Sequence, residues 1–184
     1  MPKILLIGNP NVGKSTAFNS ITKSDAHTGN FHGVTVEEKS KSIKFENGLY
    51  QVVDLPGIYS LNTYSFEEEI SKKAILINKD INLVIADANS LRKNLYLCQQ
   101  LNELNIEYKL LINNADYFKK NKNKINIENL EKYLKIDVFE INAKKIKLNN
   151  KLLKKSKIIT KKYNYLDKII KKIQQKMLPK NQQS

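Results

Sequence analysis

GNPNVGKST, residues 8–16, is the stretch from which the fold of this chain is predicted. It satisfies the pattern G-x-x-x-x-G-K-[ST], and the matching residues are Gly8, Gly13, Lys14 and Ser15. A short apolar run precedes it and a helical pattern follows. In such a loop, glycines let the backbone curl until successive N–H groups and a helix N-terminus face a phosphate chain. Lys14 would neutralise the outer phosphates and the Ser15 hydroxyl would ligate magnesium. The stretch therefore predicts a phosphate-binding loop and not a plain turn.

Outward from this loop, short β-branched runs alternate with helical patterns, which is typical of parallel strands joined by crossover helices. Strands are predicted at residues 3–7, 48–54, 82–86, 108–113 and 138–141. The looser, charged alternation of residues 36–45 predicts a solvated antiparallel edge strand. We therefore predict an α/β fold class: a mostly parallel six-stranded sheet with helices on both faces, one antiparallel edge strand and a short C-terminal helical extension.

Helices are predicted in the gaps between these strands. One follows the phosphate-binding loop at residues 16–23, and one follows a Ser65–Glu68 capping box at residues 66–78. An apolar stripe at helical spacing marks residues 91–104, and Cys98 on that stripe is expected in the core. A last helix is predicted at residues 158–177.

The length and composition favour one compact domain with an appendage. The chain has 184 residues, so we expect a nucleotide-binding domain over residues 1–151 and a basic helical extension over 152–184. No apolar run approaches the roughly 20 residues of a membrane-spanning helix. A single cysteine permits no internal disulfide, and the N-terminus does not resemble a secretory signal, so a cytoplasmic location is expected.

The positive charge lies almost entirely in the C-terminal third. The formal net charge is +14, and residues 119–184 carry 20 lysines against 5 acidic residues. Such a field attracts the phosphates of RNA or of an anionic membrane surface. A compositional bias towards lysine is the alternative explanation, because Arg92 is the only arginine and phosphate-binding surfaces favour its planar fork.

Two further motifs lie at the ends of predicted strands. DLPG, residues 54–57, places Asp54 where a carboxylate would hold magnesium through water and offers the Gly57 N–H to a terminal phosphate. NNAD, residues 113–116, has the N-x-x-D spacing of guanine-binding sites: the Asp116 carboxylate would accept bonds from the ring N–H and the exocyclic amino group of guanine. The alternative for NNAD is a helix cap.

These motifs, in this order, resemble the translation-factor-related P-loop GTPases and, more closely, the cytoplasmic G domain of the FeoB ferrous iron transporter family. The segments that carry the resemblance are GNPNVGKST, GNFHGVTVE at 29–37, DLPGIYSL at 54–61 and DANSLRKNLYLCQQL at 87–101. The resemblance implies that the chain binds GTP and GDP and hydrolyses GTP to GDP and phosphate.

The resemblance also assigns roles to single residues. Thr35 would be the switch I threonine that ligates magnesium, and Asn11 matches a residue that helps to hold potassium beside the phosphates. Ile58 stands where Ras-like relatives place a catalytic glutamine, and an aliphatic side chain cannot orient water. Slow intrinsic hydrolysis, stimulated by potassium, is therefore expected.

Together, the motifs and the resemblance predict a complete site. The residues with a direct part in catalysis are Asn11, Lys14, Thr35 and Gly57. Magnesium would be held by Ser15, Thr35 and Asp54, and potassium by Asn11. The nucleotide would contact Gly8, Asn9, Pro10, Asn11, Val12, Gly13, Lys14, Ser15, Thr16, Gly33, Val34, Thr35, Asp54, Gly57, Asn113, Asn114, Asp116, Asn142, Ala143 and Lys144, with the Ala143 N–H on the base carbonyl oxygen.

Several positions depart from the family pattern. Asn114 stands where the family commonly has methionine, Phe31 replaces a tryptophan of switch I, and Asn142 replaces a serine in the base-contacting loop. The helical subdomain and the membrane spans of the transporter have no counterpart, and residues 158–177 are interpreted as a remnant of that subdomain.

Three functional hypotheses follow. The first is a slowly hydrolysing GTPase switch associated with ferrous iron transport, acting beside an iron-transporting membrane protein and peripheral to the inner membrane, where the basic C-terminal third would meet anionic lipid. The second is an RNA-associated GTPase of the ribosome-assembly or tRNA-modification type, although no RNA-binding module is recognisable. The third is a weakly hydrolysing nucleotide sensor that acts on a protein partner. His27 and His32 in switch I are interpreted as loop histidines, with an iron site as the alternative.

Overall fold

The computed structural model describes residues 1–23, 27–30, 37–46, 48–115 and 125–154. The strands in these ranges are β1 (Lys3–Ile7), β2 (His27–Asn30), β3 (Glu37–Phe45), β4 (Gly48–Asp54), β5 (Ile81–Asp87), β6 (Lys109–Asn113) and β7 (Val138–Ile141). The helices are α1 (Lys14–Thr22), α2 (Phe66–Ile77), α3 (Leu91–Glu103), α4 (Ile127–Leu134) and α5 (Asn150–Leu153), with a 3₁₀ turn at Ala88–Ser90 before α3.

The strands form one sheet in the order β2-β3-β4-β1-β5-β6-β7. The strands β4, β1, β5, β6 and β7 are parallel to one another. Strand β3 is antiparallel to both β4 and β2. The predicted α/β class with a mostly parallel sheet is confirmed. The structure adds one strand to the predicted sheet, because His27–Asn30 pairs with the outer side of β3 and takes the edge position that had been expected for β3.

Both faces of the sheet are covered by helices. In β1, Ile4 and Leu6 belong to one apolar cluster, while Leu5 and Ile7 belong to the other, as the two-residue period of a strand requires. Helices α2, α3 and α4 close the cluster around Leu5, and α1 and α5 close the cluster around Ile4. A strand buried on both faces reads as a continuous apolar run, which is why the central strands were recognisable.

Local side-chain bonds set the starts of two helices. The Ser65 hydroxyl accepts from the Glu68 N–H at 3.2 Å, and the Glu68 carboxylate accepts from the Tyr64 N–H at 2.9 Å, so the predicted cap of α2 is present. The Asn126 side chain caps α4 by accepting from the Asn129 N–H at 2.8 Å. Helix α4 was not predicted from the sequence.

The last described helix, α5, is hydrogen-bonded to the sheet. The buried Lys109 ammonium donates to the Lys151 carbonyl oxygen at 2.7 Å and pairs with the Asp137 carboxylate at 2.9 Å. The predicted helix at 158–177 lies outside the described residues, and the boundary at residue 151 stays a prediction. In the ranges that the structure describes, no helix is long and apolar enough to span a membrane.

The topology brings one end of each parallel strand to the same edge of the sheet. At the carboxyl ends of β1, β4, β6 and β7 the chain continues into the four predicted nucleotide-binding segments: the glycine loop, DLPG, NNAD and the base-contacting loop INAK at residues 141–144. Ligands of open parallel sheets bind at this edge. The four motifs are therefore neighbours in space although they span more than 130 residues of sequence.

Candidate functional site

The loop between β1 and α1 has a backbone that only glycine accepts at two points. Gly8 has a φ of +150° and Gly13 a φ of +100°. A Cβ at Gly8 would lie 2.3 Å from the Ile85 carbonyl oxygen, and one at Gly13 would lie 2.5 Å from the Asn113 Nδ2. Asn11, also left-handed with a φ of 65°, lies exposed at the turn between them. The loop therefore has the tight curl predicted for phosphate binding.

Lys14 and Ser15 open helix α1 beside the carboxylate of Asp54. Lys14 is buried, and its ammonium donates to the Asn9 carbonyl oxygen at 3.3 Å. The Ser15 hydroxyl donates to Asp54 Oδ2 at 2.5 Å. The loop after β1 and the end of β4 are thus joined by the residues that were predicted to hold phosphate and magnesium.

Two buried oxygens at this point lack a partner among the described residues. They are Asp54 Oδ1 and Asn9 Oδ1. Burial raises the pKa of the Asp54 carboxyl, against the opposing effects of the Ser15 hydrogen bond and the Lys14 charge. Burial also lowers the pKa of Lys14, which the Asp54 charge partly offsets. Burial therefore makes the charged forms of both groups electrostatically costly.

Gly57 of DLPG crosses directly over the phosphate-binding loop. A Cβ at Gly57 would lie 2.7 to 2.9 Å from the Cγ, Cδ and N atoms of Pro10, so only glycine permits this approach. The next residue, Ile58, donates its N–H to the Gly8 carbonyl oxygen at 3.0 Å, and its side chain is completely buried in the cluster around Leu5. The side chain at the position of the Ras-like glutamine therefore points into the core.

The Asn113 side chain of NNAD bonds to the backbone of the glycine loop and of the loop after β7. Its Nδ2 donates to the Val12 carbonyl oxygen at 3.0 Å, and its Oδ1 accepts the Ala143 N–H at 3.0 Å. Both bonds are buried, and they join the ends of β1, β6 and β7. The Ala143 N–H, which was predicted to contact the base, thus has an intramolecular partner in this structure, and its contact with a base stays a prediction.

The Asn114 side chain bonds to the end of a neighbouring strand. Asn114 has a φ of 62° and its Nδ2 donates to Asp87 Oδ2 at 2.7 Å, at the end of the neighbouring strand β5. Sequence reasoning had assigned Asn114 to the nucleotide and had given no role to Asp87. The sequence did contain a signal for Asp87, because this residue begins DANSLRKNLYLCQQL, one of the segments that carry the family resemblance.

The loop after β7 is an exposed turn closed by Asn142. Its Oδ1 accepts the Lys144 N–H at 3.0 Å, and its carbonyl oxygen accepts the Lys145 N–H at 2.9 Å. Asn142 thus supplies a hydrogen bond within the loop at the position where the family has a serine. Its side chain and that of Lys144 are exposed, whereas Ala143 is buried.

Part of the predicted site lies outside the described residues. Gly33, Val34, Thr35 and Asp116 fall there, as do Phe31 and His32. His27 is placed by its backbone in β2, opposite Ser40. Within the described ranges, no three His, Cys, Asp or Glu residues come together as a metal-binding group.

A glycine loop between a central strand and a helix, a carboxylate at the end of the adjacent strand and an asparagine brace from β6 define the class of this protein: it has the fold and the phosphate-binding loop of a P-loop GTPase. The family model for Ferrous iron transport protein B matches residues 2–156. The chain belongs to this family.

Curated relatives agree with the family assignment. The Fe(2+) transporter FeoB of Campylobacter jejuni is 37% identical over 181 residues, which cover 98% of this chain and 27% of the transporter. That of Methanocaldococcus jannaschii is 48% identical over 103 residues, which cover 55% of this chain and 15% of the transporter. The chain thus spans about a quarter or less of the length of these relatives.

Solved structures resemble the whole described fold. The FeoB G-domain of Methanococcus jannaschii has a TM-score of 0.68 and 34% identity. The match covers 95% of this chain and 97% of the G-domain chain. A variant of the S. thermophilus NFeoB bound to GDP has a TM-score of 0.71 and 40% identity, over 78% of this chain and 56% of its own. The same variant has been solved with GDP·AlF4⁻, and another variant of that NFeoB has been solved with GMPPNP.

Proposed function

We propose that this chain binds GTP and GDP with magnesium, hydrolyses GTP slowly, and serves as the nucleotide-dependent switch of a ferrous iron transporter. The observation that carries the proposal is the buried pair Lys14 and Asp54, which flanks the glycine loop and leaves one carboxylate oxygen without a partner among the described residues. Relatives with 40% identity that bind GDP and GMPPNP support it.

The residues around Asp54 have the chemistry of a magnesium site. A hydroxyl and a carboxylate are oxygen donors, the kind that magnesium prefers, and it usually keeps several waters beside them. Ser15 Oγ would bind the ion directly while still donating to Asp54, since a hydroxyl has two lone pairs besides its proton. Thr35 is the third predicted ligand. When bound, the ion would neutralise charge on the phosphates.

The protein's own groups would do the remaining work on the phosphates. The loop N–H groups and the start of α1 would bind the phosphate chain, and its negative charge would further offset the burial of the Lys14 ammonium. The Gly57 backbone, held against Pro10, would present its N–H to the terminal phosphate. Asp116 would select guanine over adenine through two hydrogen bonds, one to the ring N–H and one to the exocyclic amino group.

Slow hydrolysis follows from the position of Ile58. Its side chain is fully buried, so no side chain at this position is available to orient the attacking water. This observation also keeps a second candidate function open, a sensor that binds nucleotide and barely hydrolyses it. Single-turnover kinetics separate the two, because a sensor would show no hydrolysis above the uncatalysed background. The RNA-associated alternative gains no support from the relatives, which are transporters.

Potassium activation is part of the same proposal. Asn11 lies exposed at the turn of the loop, where its side-chain oxygen would face a cation beside the phosphates. We expect faster GTP hydrolysis in potassium than in sodium at equal ionic strength, and loss of the difference in Asn11→Ala. An equal rate in the two salts would contradict the role of Asn11.

The transporter context is inferred from the relatives. They are Fe(2+) transporters of which this chain covers about a quarter or less, so iron transport and a membrane partner are proposed here as properties of the assembly in which the chain acts. The basic C-terminal third would favour a position at the inner face of the membrane, where anionic lipids attract lysine.

Magnesium dependence tests the proposal most simply. GTP affinity should rise at least about tenfold on adding magnesium, and Asp54→Asn should abolish the rise, because the ion loses an anionic neighbour. Asp80→Asn is the matched control, since this exposed carboxylate accepts from the Lys3 N–H at the other end of the sheet. The assignment of Asp54 would be wrong if Asp54→Asn and Asp80→Asn showed the same magnesium dependence.

A further inference from the structure

A side-chain contact joins the ends of β5 and β6 beside the expected base site. Asp87 and Asn113 are paired residues in the parallel register of these strands, and both end their strands. One residue further along the chain, Asn114 donates from Nδ2 to Asp87 Oδ2 at 2.7 Å. A bond to a carboxylate is stronger than one between neutral groups. We refer to this contact as the Asp87–Asn114 latch.

The carboxylate of the latch is held in place from its other side. The Asp87 N–H donates to the side-chain oxygen of Asn94 at 2.8 Å, and Asn94 is buried in helix α3. Asp87 Oδ1 accepts from the backbone N–H of Asn89 at 2.7 Å and from its Nδ2 at 3.0 Å. These contacts leave Oδ2 directed at Asn114, so the acceptor is oriented before the latch forms.

The donor of the latch sits at a strained turn. Asn114 has a φ of 62°, a conformation that is unfavourable for most L-residues and that asparagine tolerates better than most. The next residue, Ala115, is buried in the core. The chain therefore leaves β6 through a left-handed residue whose side chain is tied to β5, two positions before Asp116.

We propose that Asp87 is a positioning residue for base recognition, which acts through Asn114 on the segment that carries Asp116. The inference rests on the proposed function, in which Asp116 accepts from the ring N–H and the exocyclic amino group of guanine. It adds a residue outside the four nucleotide-binding motifs to the determinants of guanine specificity. It also gives a role to Asn114, which replaces the methionine common in the family.

A nucleotide that lacks one of the two donors reports this role separately from stability. IDP has the ring N–H and the carbonyl oxygen of GDP but no exocyclic amino group. The ratio of GDP affinity to IDP affinity therefore measures how well Asp116 reaches that group. A general loss of stability lowers both affinities together and leaves the ratio unchanged.

The experiment measures GDP and IDP affinities by titration of the full chain with magnesium present. Asp87→Ala should lower the GDP to IDP ratio by about tenfold, the size of one hydrogen bond to a charged group, because GDP has two bonds to Asp116 to lose and IDP has only the ring N–H bond. An unchanged ratio, or equal losses for both nucleotides, would overturn the proposal. If the wild-type chain binds neither nucleotide, or does not prefer GDP to ADP, the proposed function itself fails.

Exchanging the two side chains of the latch gives a test that does not depend on how Asp87→Ala folds. Asn114→Asp places two carboxylates against each other and should lower the ratio, whereas Asp87→Asn combined with Asn114→Asp restores a donor facing an acceptor and should return the ratio to within about twofold of wild type. Asn89→Ala is the matched control: it removes one donor to Oδ1, leaves the latch intact and should not change the ratio. Failure of the double variant to recover would contradict the latch.

Discussion

Gly13 occupies a position where a side chain has neither room nor an accessible backbone conformation. Its φ is +100°, and a Cβ would lie 2.5 Å from the Asn113 Nδ2. We expect Gly13→Ala to lower the free energy of unfolding by about 2 kcal/mol and to abolish GDP binding, because the strained alanine pushes the Asn113 brace out of place. Urea denaturation and GDP titration would measure the two effects.

Gly48 supplies the matched control for this substitution. A Cβ there would meet no atom within 4 Å, and its φ is outside the left-handed region. Gly48→Ala should leave GDP binding unchanged and alter stability by less than about 1 kcal/mol. Similar losses of binding in the two variants would show that the loop does not need a glycine at residue 13.

Cys98 should make the stability of the fold fall at high pH. Its side chain is fully buried, and burial raises the pKa of the thiol from 9.0 to about 12. The folded state therefore keeps a proton that the unfolded state releases above pH 9.0, so stability falls as pH rises from 9.0 towards 12. Compared with Cys98→Ala, the wild-type chain should lose about 1.4 kcal/mol more per pH unit in that interval. Parallel urea curves at about pH 8 and 10 give the difference, and an identical loss in both proteins would contradict it.

At the residue scale, spacing predicted which side chains meet at the glycine loop but did not predict the bonds that support them. Lys14, Ser15 and Asp54 come together as expected because glycine loops and strand ends have stereotyped geometry. The intramolecular partners of Asn114 and Ala143 were not predicted. Such bonds depend on which strand ends are neighbours in the sheet, and a pattern along the chain does not contain that information.

Ile58 links the strand β4 to the segment that leads into α2, and it gives a prediction at the scale of the element. Replacing this buried residue by glutamine would place an amide in the apolar cluster around Leu5 without a partner. We expect Ile58→Gln to cost about 3 kcal/mol of folding free energy and not to accelerate GTP hydrolysis. Thermal unfolding and a phosphate-release assay would measure both.

Tyr59 offers the comparison for Ile58→Gln. Its side chain is 55% exposed, so Tyr59→Gln should change stability by less than about 0.5 kcal/mol. A glutamine at residue 58 that raised the rate of hydrolysis severalfold would contradict the account, because it would mean that this side chain can leave the core and reach the nucleotide.

Which elements were predicted depends on how much of each is buried. β1 and β5 are apolar over both faces, and their bounds were predicted to within one residue. β2 was missed because its sequence, HTGN, has no apolar residue and it is a strand only through pairing with β3. α4 was missed although Ile127, Leu130 and Leu134 recur on one face, since eight residues give a weak periodic signal.

At the scale of the whole molecule, the topology makes one site from distant segments. The Asn113 side chain bonds to Val12 and Ala143, which lie 101 and 30 residues away in sequence. The strand order β4-β1-β5-β6-β7 is what brings these segments to one edge. The order of the motifs predicted this convergence, but the sequence could not show that the brace uses the N–H that had been assigned to the base.

The basic C-terminal third carries the lysine excess of the chain. Its predicted helix at 158–177 lies outside the described residues, and the last described helix is α5, where Lys109 donates to the Lys151 carbonyl oxygen. The lysine excess of residues 119–184 is compatible with either phosphate binding or a compositional bias. Binding of the chain to anionic vesicles, measured over a salt series, would distinguish these explanations. Binding to lipid phosphates should weaken steeply as the ionic strength rises, whereas a compositional bias alone predicts no such binding.

The central claim is that the glycine loop binds the phosphates of a nucleotide whose base is selected from the end of β6. The most direct test is the affinity of the wild-type chain for GTP and for ATP in the presence of magnesium, measured beside Asp116→Ala. The account predicts at least about a hundredfold preference for GTP, and a loss of most of that preference in the variant. Equal affinity for the two nucleotides, or a preference that survives Asp116→Ala, would contradict it.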